Sequence, residues 1–72
     1  MYNVHFEGSA RGDIRVDSRW EAENLLLANI QHSRSIPDAD KPACEVDVIR
    51  QGWVQYIKNG VYFYGVIEEV KK

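Results

Sequence analysis

Few side chains in this chain combine the type and setting that catalysis needs. His5 and His32 are the only histidines, and Cys44 is the only thiol. A hydrolase requires a nucleophile beside a base, or two carboxylates facing a cleft. His5 falls on the polar side of an alternating segment near the amino terminus. His32 falls at the end of a helical pattern, where an imidazolium interacts favourably with the helix dipole. Cys44 lies in the apolar phase of its segment, which suppresses a thiolate rather than activating it. Asp38 and Asp40 resemble the start of a calcium loop, but the Gly and the distal Glu that such a loop requires are missing. No glycine-rich phosphate loop is present. One cysteine excludes an intramolecular disulfide framework and a Cys-based zinc cluster, which favours a reducing, cytoplasmic setting. These residues point to a protein that is not an enzyme and needs no cofactor.

Aromatic and basic residues offer a different chemistry. Tyr56 and Phe63 with Arg11, Arg15, Arg50 and Lys58 could stack bases and hold phosphates on a sheet. Against this stand Glu7, Asp13, Asp17, Glu45 and Asp47, interspersed on the same segments. Nine basic and eleven acidic residues leave a net charge of -2, without the basic excess of a phosphate-binding protein. Nucleic-acid binding is therefore the second reading, behind a protein partner. No stretch is long and apolar enough to span a bilayer, and the first residues show no basic region followed by an apolar core.

The elements that would position these groups are legible in the periodicity. Residues 53–67 form two β-type runs joined by Asn59-Gly60, the strongest short-range hairpin signal. With those two as turn residues, Lys58 faces Val61, Ile57 faces Tyr62, Tyr56 faces Phe63, Gln55 faces Tyr64 and Trp53 faces Val66. Tyr2, Val4 and Phe6 alternate with polar neighbours and predict a strand over 2–7. A glycine-bearing turn at 8–12 leads to a second strand at 13–17, with Ile14 and Val16 inward. Ser18 and Glu21 fit a capping box, and Ala22, Leu25, Leu26 and Ile30 predict a helix from 19 to about 32 or 33. Residues 33–43, with Pro37 and Pro42, read as a loop. Cys44, Val46 and Val48 alternate with Glu45 and Asp47 and predict a further strand joined to the hairpin by Gln51-Gly52.

The seventy-two residues thus make a single domain, 1–72, near the lower limit at which a hydrophobic core alone gives stability. The expected class is α+β, with a single helix packed on an antiparallel sheet of up to five strands, in the order β-β-α-β-β-β. If the strand at 44–50 sides its valines with Trp53, Ile57, Tyr62 and Tyr64, the helix covers that face. The open face then carries Glu45, Asp47, Val54, Tyr56, Lys58 and Phe63, the candidate partner-binding residues. So apolar a surface marks an interaction site. A twofold copy of the chain, the loop or the termini would be alternative covers.

The helix opening Glu21-Ala22-Glu23-Asn24-Leu25, followed after a loop by Val46-Asp-Val-Ile-Arg-Gln-Gly52-Trp53-Val-Gln-Tyr56-Ile-Lys58-Asn-Gly60, resembles the small phage-encoded anti-CRISPR proteins. The likeness is to those with one helix on a curved antiparallel sheet, and it covers about half the chain. It implies a non-catalytic inhibitor, acting in the host cytoplasm, that binds protein subunits of a type I CRISPR effector where target DNA should pass. Such surfaces are basic, so acidic and aromatic side chains would meet them. Glu45, Asp47, Tyr56, Lys58 and Phe63 would be the contacts.

Overall fold

Among the described residues, six elements follow one another: β1 (Tyr2–Glu7), β2 (Gly12–Val16), α1 (Arg19–His32), α2 (Lys41–Gln51), β3 (Trp53–Lys58) and β4 (Val61–Glu69). The structure is a computed structural model that describes residues 1–8 and 11–71. Residues 9 and 10 of the turn expected between the first two strands lie outside the described residues. The class is α+β, as expected, but with two helices and a four-stranded sheet. All pairings are antiparallel, in the order β2-β1-β4-β3.

The Asn59-Gly60 hairpin has the expected register pair for pair, from Lys58 opposite Val61 to Trp53 opposite Val66. Asn59 has φ 51° and Gly60 φ 80°, the positive angles that a two-residue primed turn demands. Helix α1 also starts where its cap predicts: the Ser18 hydroxyl accepts from the Glu21 N–H at 3.1 Å, and His32 closes the last turn. Ala22, Leu26 and Ile30, spaced by four, are fully buried, whereas Trp20 at the helix start is exposed.

The expected strand at 44–50 is instead helix α2, and this is the main correction to the fold. Cys44 and Val48 are four apart as well as in phase with a strand, and it is the helical spacing that buries them. Val46, inward in the strand reading, is exposed. The helix is punctuated at both ends. Pro42 stands in its first turn, where a missing N–H costs nothing, and Gly52 is its left-handed C-cap, with φ 79° and its N–H bonded to the Val48 carbonyl at 2.9 Å. Lys41 Nζ donates to the Gln31 carbonyl, and Gln31 Nε2 donates to Glu45, so α2 is fastened to the end of α1.

Losing that strand reverses the sheet faces. With no strand at 44–50, its valines no longer argue for either face of the hairpin. What decides the matter is β1, which pairs with β4 and sets Val4 opposite Ile67 and Phe6 opposite Gly65. The side of β1 that buries Val4 therefore buries Phe63, Ile67 and their hairpin neighbour Val54. These residues join Ala22, Leu26, Ile30, Ile36, Cys44 and Val48 in one core. Both helices lie on that face.

Candidate interaction surface

Period-two alternation places the remaining strand side chains on the face away from the helices. On β3 and β4 these are Trp53, Gln55, Ile57, Tyr62, Tyr64, Val66 and Glu68. Trp53 is 43% exposed, Ile57 67% and Tyr62 41%, large values for apolar side chains on so small a domain. The register sets Trp53 beside Val66 and Ile57 beside Tyr62. The result is an aromatic and aliphatic strip running along one half of the open face.

The other half, on β1 and β2, is charged and tied together by His5. The ring's Nε2 lies 2.7 Å from Glu7 Oε2, and its Nδ1 lies 2.9 Å from Asp13 Oδ1. Each nitrogen can donate to a carboxylate only if both are protonated, so the cluster favours the imidazolium. The hydrogen bond to Glu7, then that to Asp13, raises the His5 pKa above the usual histidine value. In return the Glu7 carboxyl is held below its usual range by His5, and that of Asp13 by the Asn3 amide and then His5. Asn3 Nδ2 donates to Asp13 Oδ1 at 3.0 Å, and Arg11 approaches Glu7 at 3.6 Å. The two halves meet where the His5 ring stands 6.3 Å from the Tyr64 ring, tilted by 60°.

Sharing Asn3 and Asp13 with this cluster, a shallow groove of about 470 Å³ is also lined by Arg15, Glu68, Glu69 and Val70. Among the described residues, no three His, Cys, Asp or Glu side chains converge in a way that could hold a metal ion. Cys44 is buried on the inner side of α2, and desolvation, reinforced by Asp47, Asp40 and Glu45, pushes its thiol above the usual value. No helix among the described residues is long and apolar enough to cross a membrane.

The candidate residues Glu45, Asp47, Val54, Tyr56, Lys58 and Phe63 do not share one open surface. Val54 is 1% exposed and Phe63 5%, both inside the core, because the helices cover the opposite face of the hairpin from the one expected. Glu45 and Asp47 sit on α2 rather than on a strand. Tyr56 is half-buried with its hydroxyl on Asp40, and Lys58 is exposed with its ammonium 3.6 Å from the same carboxylate. The open strip of Trp53, Ile57, Tyr62 and Tyr64 is the set expected to lie under the helix. Its signal was present, since it is simply the other phase of the same alternation. Compared with protein-family models, curated proteins and solved structures, the chain matches none of them.

Proposed function

We propose that this chain is a non-catalytic binding protein that docks the open face of its sheet on a protein partner. The observation that carries the reading is the strip of Trp53, Ile57 and Tyr62, exposed on the face opposite both helices. Contiguous apolar surface of this kind favours burial against another macromolecule. Aromatic side chains are also the residues that most often anchor interfaces. Beside the strip, Glu7, Asp13 and Glu68 alternate with His5, Arg11 and Arg15 in a flank of mixed charge, which suits a partner with an apolar centre and a polar, charged margin. The same carboxylates oppose a phosphate backbone, so a protein is favoured over a nucleic acid.

The partner we infer is a type I CRISPR effector, whose nucleic-acid-binding surface is basic. This part of the proposal is supported by the likeness of residues 21–25 and 46–60 to the anti-CRISPR proteins. The contacts, however, are the open-face residues and not Val54 or Phe63. The direct test is binding of the purified protein to purified type I effectors of several subtypes by surface plasmon resonance, with Tyr62→Asp beside the parent. Binding by the parent and a loss of at least tenfold in Tyr62→Asp is the expected outcome. Failure of the parent to bind any of the effectors would overturn the choice of partner. Equal binding by the parent and Tyr62→Asp would overturn the choice of face.

A further inference from the structure

The outer edge of β3 carries a pattern that is complementary to itself. In a two-residue hairpin, the residues flanking the turn form a hydrogen-bonded pair, and every second pair along the ladder does the same. Lys58, Tyr56 and Val54 therefore direct their backbone groups to β4. The next residue of that series, Gly52, accepts from the Ile67 N–H at 2.8 Å, as the phase requires. Trp53, Gln55 and Ile57 consequently direct their N–H and C=O groups away from β4. Because β3 is the last strand of the sheet, these groups face an open edge. The Trp53 carbonyl shows the same phase, since it takes a bond from Gln51 Nε2 at 3.1 Å rather than from β4.

The two edges of the sheet differ. Strand β2 carries Asp13 and Arg15, charges of the kind that keep an edge from pairing. Along β3 the only charge is Lys58, at the last position before the turn, and the strand contains neither proline nor glycine. We infer that β3 pairs antiparallel with β3 of a second copy of this chain, about a twofold axis at Gln55. In that register Gln55 opposes the second copy's Gln55, and Trp53 opposes the second copy's Ile57. Every residue in these pairs is one whose backbone groups face outward, so the ladder closes without breaking a β3–β4 bond. The Trp53 carbonyl has two lone pairs and accepts from the second copy's Ile57 while keeping Gln51.

Side chains agree with the backbone. The pairing sets Trp53 of each copy beside Ile57 of the other on the open face, so the two most exposed apolar groups of β3 shield part of each other and extend the apolar strip across both copies. Shifting the register by one residue would oppose inward-facing to outward-facing side chains. The twofold at Gln55 is therefore the arrangement that satisfies both the hydrogen bonds and the apolar pairs. The result is a continuous eight-stranded sheet. A six-residue edge is small beside the roughly 1,200–2,000 Å² of a stable interface, so the dimer dissociates on dilution.

Sedimentation equilibrium of the pure protein over a wide concentration range tests this independently of any other partner. The expected result is a monomer–dimer equilibrium that Gln55→Pro abolishes. That variant removes an N–H not used by β4, at an edge position where proline is tolerated. Ile57→Lys, a change at an exposed site, should also abolish it, and circular dichroism should show the fold retained in both. Under mild oxidation Gln55→Cys should cross-link copy to copy, because opposed residues of a hydrogen-bonded pair lie about 5.5 Å apart at Cα, within disulfide reach. A monomer at every concentration would overturn the inference, as would a dimer that survives both edge substitutions and fails to cross-link through position 55.

Discussion

The Tyr56 hydroxyl donates to Asp40 Oδ2 at 2.7 Å, joining the edge strand β3 to the residue that precedes helix α2. This bond, with Lys58 nearby, ties the start of α2 to the inner face of β3. It raises the Tyr56 phenol to about 12 and, with Lys58, holds the Asp40 carboxyl below its ordinary value. For the phenol, the folded pKa exceeds the unfolded value of about 10. Its contribution to stability is therefore complete below about pH 10 and is lost as pH rises toward about 12. For the carboxylate, the contribution is present above the unfolded carboxyl pKa and is lost as pH falls through the folded one. Urea titrations should show Tyr56→Phe less stable at neutral pH, with a weaker dependence on pH at both extremes. An unchanged midpoint at pH 7 would show that the bond adds nothing.

Leu26 and Gly65 should prove coupled. Leu26 is fully buried, and a Cβ built on Gly65 would lie 2.5 Å from Leu26 Cδ1. Leu26→Ala should cost about 2–5 kcal/mol, a large fraction of the stability of so small a domain. Gly65→Ala forces α1 away from β4 and should cost about 1–3 kcal/mol. In the double variant the new methyl enters the space that Leu26 vacates. Chemical denaturation should accordingly give a combined loss smaller than the sum of the two single losses.

Neighbouring residues on β4 should behave oppositely because they point to opposite faces. Phe63→Ser removes a core ring and should destabilise by at least the roughly 3–5 kcal/mol typical of Phe→Ala, enough to abolish cooperative melting. Tyr62→Ser, on the open face, should leave the thermal transition within a few degrees of the parent. The reverse pattern in differential scanning calorimetry would mean that the helices cover the other face.

The His5 clamp predicts a pH dependence on the alkaline side of the histidine range. Its folded pKa is raised by Glu7 and Asp13, so its stabilisation is fully present below the unfolded value of about 6.5 and fades as pH rises through the folded one. Proton NMR should place the His5 titration above 6.5. In His5→Gln, the fall in stability with rising pH across that window should flatten.

Sequence alone determined the local parts of this protein: β1, the Ser18 cap and length of α1, and the hairpin at Asn59-Gly60 with every pair in register. Each rests on near neighbours, a capping hydroxyl three residues away or a turn that admits positive φ, and such forces act within a few residues. It also located His5 on the polar side of its strand, though not its tie to Glu7 and Asp13. Two things were decided only by tertiary structure. Cys44, Val46 and Val48 satisfy a strand period, while Cys44 and Val48 equally satisfy a helical one. Packing against α1 and β3, with Pro42 and Gly52 marking the ends, selected the helix. The hairpin offers two apolar faces of similar character, so nothing within it says which is inside. That choice belongs to the long-range pairing of β1 with β4, which puts Val4 beside Ile67 and so turns Val54 and Phe63 inward and Trp53, Ile57 and Tyr62 out.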